Sequence, residues 1–135
     1  MKVTKLQDVD PQGDGQENHA MLPHLIDGKD NTYWSTEFYL SSSFGHLKTG
    51  VGVDFTLESP ATIVEVDSPV KGWKGELLPK SSAGVGTKIA TLDGVAVQRI
   101  SLPQPITSGR IWITQLVALK PGRFGVQLGE LRFYR

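Results

Sequence analysis

Apolar and polar residues alternate with period two along Val51-Gly-Val-Asp-Phe-Thr-Leu57, placing Val51, Val53, Phe55 and Leu57 on one side and Gly52, Asp54 and Thr56 on the other. That is the pattern of a half-buried strand. Ser59-Pro60 reads as a turn and Ile63–Asp67 as an antiparallel partner that stops before Ser68-Pro69. Further strands are predicted over Val3–Val9, Trp73–Leu78 and Thr87–Leu92, the last leading through an Asp93-Gly94 hairpin turn to Val95, Val97 and Ile100. Gly109–Leu119 is another strand, Pro121–Gly125 a turn, and Val126–Tyr134 the closing segment, with Leu128, Leu131 and Phe133 in the core. The pattern changes between Met21 and Tyr39. There Leu22, Leu25 and Ile26 precede the turn Asp27–Asn31 and the aromatic stretch Thr32–Tyr39, so a short helix or turn leads into a strand. About eight or nine short strands without a long helix make an all-β, jelly-roll β-sandwich.

Composition narrows this picture. The 135 residues form one domain, 1–135, punctuated by 15 Gly and 8 Pro. Fourteen basic and fourteen acidic residues leave no net charge, which removes the footprint of a nucleic-acid binder. Apolar runs are too short to cross a bilayer. The absence of cysteine excludes disulfides, a thiol nucleophile and a thiolate zinc site. Met1 is followed by no apolar signal segment, so the chain is expected to be cytosolic or a piece of a longer exported or membrane-anchored protein.

Catalytic patterns are missing as well. No Gly-x-Ser-x-Gly elbow is present, Gly84-Val-Gly86 lacks the setting of a nucleotide loop, and His19, His24 and His46 are scattered over loops. Acid pairs such as Glu37 and Glu65 are of a kind that any sandwich of this composition supplies. No enzymatic activity is expected.

Leu25-Ile-Asp-Gly-Lys-Asp-Asn-Thr-Tyr-Trp-Ser35 resembles the first motif of discoidin, or coagulation factor 5/8 type C, domains, the galactose-binding-like group that includes carbohydrate-binding modules. Val51–Val66, Arg110–Thr114 and Gly129–Tyr134 resemble later strands of that family in the same order. Asp10–Asn18, Ser43–Gly52 and Pro69–Trp73 are similar to the C-terminal extracytoplasmic domains of actinobacterial lipid II flippase-like (MviN/MurJ-like) proteins, and to domains attached to kinase-like regions. The resemblance implies a galactose-binding-like jelly roll. It also implies a noncatalytic, monomeric extracytoplasmic domain of a membrane-anchored parent, recognising cell-wall glycan, peptidoglycan precursor or an envelope protein. Two alternatives stand beside it: a protein-interaction domain with a degenerate sugar site, and a carbohydrate-binding module of a glycoside hydrolase.

The resemblance further implies one structural calcium ion held by Asp27, Asp30, Thr32 and Glu130, whose oxygens suit a hard cation. The alternative is that Asp27 caps the Gly28 turn while Glu130 meets Lys29 or water. Asp8, Asp10, Asp14 and Glu17 lack the pattern of a calcium loop and read as a solvated acidic loop. Tyr39, Phe44, His46 and Lys48 share one polar loop and are candidates for ligand binding, with Phe44 alternatively packed inward. Trp73, between Lys71 and Lys74, is either a sugar platform or core, whereas Trp34 and Trp112 read as core.

Overall fold

The computed structural model describes residues 2–13, 15–29, 31–46, 48–80 and 88–135. Its strands are β1 (Val3–Val9), β2 (Trp34–Ser35), β3 (Val51–Asp67), β4 (Lys74–Leu78) and β5 (Ala90–Leu92), followed by β6 (Val97–Gln115), β7 (Val117–Lys120), β8 (Arg123–Gly125), β9 (Gln127–Leu128) and β10 (Glu130–Tyr134). A 3-10 helix spans His19–Ile26, and a single 3-10 turn spans Phe44–His46. No helix among the described residues is long and apolar enough to cross a membrane.

The spine is one long ladder. β3 and β6 pair antiparallel from Val51 opposite Ile113 to Asp67 opposite Val97, with the register broken between Thr56 and Ile63. The expected turn at Ser59-Pro60 is therefore absent, and Ile63–Asp67 continues the strand that begins at Val51. Pro60 lacks an N–H for a ladder and is tolerated where the pairing is interrupted. β1 and β10 share the other side of β3, β1 along its first half and β10 along Ile63–Asp67. The order is β1-β3-β6-β4-β5, with two small antiparallel pairs, β2-β9 and β7-β8.

The Asp93-Gly94 hairpin also needs correcting, because β5 pairs with β4 and not with β6. The segment instead crosses back over Trp73: Gly72 N–H donates to Gly94 O (2.9 Å) and Ser68 N–H to Ala96 O (2.9 Å). Gly94 adopts φ +64°, and a Cβ there would lie 2.1 Å from Trp73 O, so both conformation and space call for glycine.

The alternating residues Val51, Val53, Phe55 and Leu57 enter the core as their spacing predicts, joined by Leu25, Trp34, Leu77, Ile111 and Leu128. Phe55 and Phe133 bring their rings to 4.7 Å. The opposite side of the same sheet is also covered, by Val9, Leu78 and Trp112. Beside them Arg110 and Asp54, directly opposed on β6 and β3, form a buried two-pronged pair at 2.6 and 3.1 Å. Asp54→Ala leaves this guanidinium buried without its carboxylate and should cost about 3–5 kcal/mol. Urea unfolding checks this, and a loss below about 1 kcal/mol would overturn the assignment.

Candidate functional site

The loops around β2 carry the chemistry. Trp34 turns into the core and donates its indole N–H to Glu17 O (2.8 Å), while Asn18 in a left-handed conformation (φ 53°) donates its side-chain amide to Ser35 O (2.7 Å). Thr36 then joins this segment to the C-terminal strands: its N–H donates to Val126 O (2.9 Å), and its hydroxyl accepts from Val126 N–H (3.0 Å). Tyr39 and Phe124 exchange two backbone hydrogen bonds of 2.8 Å.

Between these anchors lies a buried polar network. Glu17 is fully buried; its carboxylate accepts Glu37 N–H (2.7 Å) and the Tyr39 hydroxyl, which reaches both oxygens at 2.9 and 3.0 Å. Lys48 donates to the Tyr39 oxygen (3.0 Å) and ion-pairs with buried Asp10 (2.8 Å). Burial pushes the Glu17 carboxyl up to about 7, against the Glu37 N–H and Tyr39 hydroxyl that favour its charge. Burial and the Glu17 carboxylate together raise the Tyr39 phenol. Asp8 goes the other way: burial opposes its charge, but Glu17 N–H (2.8 Å) and the His19 ring (2.7 Å) outweigh it and hold the carboxyl below its usual range. The acidic loop expected to be solvated is thus internal at Asp8, Asp10 and Glu17; Asp14 lies outside the described residues.

The ligand candidates from the sequence are mostly scaffold. Trp73 is 1% exposed and donates its indole N–H to Ser68 Oγ (3.1 Å), so its ring has no free face, while Lys71 and Lys74 on either side of it are exposed. Phe44 is also 1% exposed and meets Tyr39 edge-on at 4.9 Å, which makes it the loop's apolar anchor. Tyr39 and Lys48 are engaged in the network just described. His46 closes the short 3-10 turn, and its side chain lies outside the described atoms.

Outward from this anchor stand two residues the sequence reading passed over: Phe38 is 49% exposed and Leu40 86%. The Arg123 guanidinium sits 5.6 Å from the Phe38 ring centroid. Their signal was period two, because a Tyr39 turned inward sets its two neighbours outward.

Of the proposed metal ligands, Asp27, Thr32 and Glu130 come together. Thr32 donates its hydroxyl to Asp27 Oδ2 (2.6 Å), Lys29 N–H donates to Asp27 Oδ1 (2.9 Å), and Gly28 N–H donates to Glu130 Oε1 (3.1 Å). The Thr32 hydroxyl and Lys29 N–H hold Asp27 below its usual range, whereas burial and the neighbouring Asp27 charge raise Glu130. Asp27 therefore does cap the Gly28 turn. Asp30 lies outside the described residues, and among those described no three His, Cys, Asp or Glu side chains converge as a metal site.

Solved structures of similar fold match over nearly the whole chain. The module CpGH89CBM32-5 from Clostridium perfringens, in complex with GalNAc-β-1,3-galactose, matches with a TM-score of 0.59 at 16% identity, covering 97% of this chain and 94% of that one. The family 32 carbohydrate-binding module of C. perfringens NanJ, in complex with galactose, matches at 0.55 and 19% identity, over 96% and 93%. XRCC1 bound to the DNA polymerase β catalytic domain matches at 0.52 and 14% identity, over 99% and 95%. The chain thus folds as a galactose-binding-like β-sandwich, the fold of family 32 modules and factor 5/8 type C domains. No family model and no curated protein sequence matches it.

Glu17 supplies a test of the network. Its folded-state carboxyl titrates near 7, above its ordinary value of 4.5, so the stability it contributes is complete below about pH 4.5 and lost as pH rises through 7. Urea unfolding between pH 5 and 8 should show stability falling by up to about 3 kcal/mol in the wild type and a flatter profile in Glu17→Gln. Parallel profiles for the two proteins would overturn the assignment.

Proposed function

We propose that this domain is a noncatalytic glycan-binding module whose sugar-contacting face is Phe38 with Arg123 and Leu40. The observation that carries the reading is the half-exposed Phe38 ring on a segment tied down on both sides, at Thr36 and Tyr39. An aromatic face offers a sugar's C–H surface an apolar partner, and a guanidinium beside it supplies hydrogen-bond donors to hydroxyl oxygens. Likeness of fold to modules solved with galactose and GalNAc-β-1,3-galactose supports the same reading. In its finer form the ligand is cell-wall glycan or peptidoglycan precursor, met outside the cytoplasmic membrane by a domain of a membrane-anchored protein.

A second reading, recognition of an envelope protein by the same face, stands beside it; XRCC1, of similar fold, is solved bound to the DNA polymerase β catalytic domain. Calorimetry with galactose, GalNAc-β-1,3-galactose and soluble muropeptides separates the two. The glycan reading expects binding that Phe38→Ala weakens tenfold or more while leaving the melting temperature within a few degrees. Silence with every sugar would overturn it in favour of the protein partner.

Asp27, Thr32 and Glu130 fit a calcium ion in one respect: two carboxyl groups and a hydroxyl are hard oxygen donors, and the Asp27 charge, which a cation would neutralise, adds to the burial that raises Glu130. A bound ion would supply no reaction chemistry and would fasten the 27–32 loop to β10. Calcium should then raise the melting temperature, by the equivalent of about 2.7 kcal/mol at a hundred times the dissociation constant. Glu130→Gln should remove the response, and a wild-type melting curve unchanged by calcium or chelator would overturn the site.

A further inference from the structure

The outward face of the β10-β3-β6 sheet ends in a cleft of about 400 Å³, within the range of small-ligand sites. Its floor follows from register. Val97, Asp67 and Glu130 are directly opposed on β6, β3 and β10, so their side chains share one face. One step back along the same face Arg99, Glu65 and Arg132 are also in register, and Arg132 donates to Glu65 (2.9 Å) and to Asp67 Oδ2. The charge ladder stops there, since the buried Asp67 Oδ1 has no hydrogen-bond partner among the described residues. Burial raises the Asp67 carboxyl, with Arg132 opposing and Glu65 adding to the shift.

The wall is the segment that follows Asp27. Tyr33 precedes the inward Trp34 and therefore faces out, 37% exposed, across from Val97 at 59%. Gln127 is opposite Ser35 on β9 and precedes the inward Leu128, which turns it outward as well. The side chains of Gln127 and Asn31 line the cleft with no side-chain hydrogen bond among the described residues. An apolar strip of Tyr33 and Val97 thus stands beside an acceptor carboxylate and two amides that both donate and accept. Phosphate or sulfate groups are disfavoured here, because the acidic Asp67 and Glu130 outnumber Lys29 on the lining and Arg132 is already committed. Hydroxyl groups are matched: they donate to Asp67 and exchange hydrogen bonds with the amides, while a ring C–H face covers Tyr33.

We infer that this cleft is a second sugar subsite, separate from Phe38, that takes one neutral pyranose unit. The inference rests on the glycan reading above, extending it from one contact face to two on either side of the buried Trp34–Thr36 stretch. Amide NMR titration with methyl β-D-galactopyranoside and with chitobiose tests it on the wild type, Phe38→Ala and Tyr33→Ser. The expected result is that Asn31, Tyr33, Val97 and Gln127 amides shift in the wild type and still shift in Phe38→Ala. In Tyr33→Ser those shifts should fall at least tenfold at equal sugar concentration, with the remaining spectrum and the melting temperature retained. Shifts confined to the Phe38 side, or cleft shifts indifferent to Tyr33→Ser, overturn the second subsite and leave the glycan reading standing. A wild type that shifts with neither sugar while binding other glycans at Phe38 also overturns the subsite alone; a wild type silent to all glycans overturns both.

Discussion

Two carboxylates, Asp10 and Glu17, are buried at the end of β1, and most of the loop structure answers to them. A carboxylate removed from water without partners is strongly disfavoured. The compensating groups come from far along the chain: Glu37 N–H, the Tyr39 hydroxyl and the Lys48 ammonium all converge on this spot. The segment from 36 to 48 must therefore return over the N-terminal loop, and Phe44 fills the apolar space under Tyr39 as it does so. Fixing Tyr39 inward is what sets Phe38 and Leu40 outward. The exposed aromatic face is a consequence of how an internal charge is satisfied.

The β3–β6 ladder does the corresponding work for the rest of the domain. Because both strands run unbroken past their register shift, one pair of strands organises β1, β4 and β5 at one end and β10 at the other. The end at Asp67 and Val97 is where the outward charge ladder runs out and the 27–33 loop folds over. Tyr33 and Phe38, the two exposed rings of this region, flank the buried Trp34, Ser35 and Thr36. The short strand β2 is consequently the common support of both surfaces, held by Glu17 O at Trp34 and by Val126 at the adjoining Thr36.

At identities of 14–19%, the likeness to solved structures is one of fold. The side chains that fold the loops and those that face out of them belong to different parts of the physics. Trp73, Phe44 and Lys48 are aromatic or cationic residues in loops, the types that ligand sites use, yet each has a structural partner that absorbs it. Exposure and the absence of an internal partner are better guides than residue type.

Much of the architecture was legible from local pattern. The strand at Val3–Val9, the alternation from Val51 to Leu57, the core positions Trp34, Leu128 and Phe133 and the overall all-β sandwich follow from side chains alternating across a pleat. The Asp27 turn was legible too, as a resemblance and as a capping pattern. What the sequence left undecided was whether Pro60 ends a strand or rides in a register break, which partner β5 takes, and whether the acidic loop faces water. Alternation is a property of neighbours along the chain, so it can be read from residues. Burial of Asp10, Glu17 and Trp73 depends on which distant segments cover them, and only the tertiary structure brings Lys48, Tyr39 and Gly94 to those places.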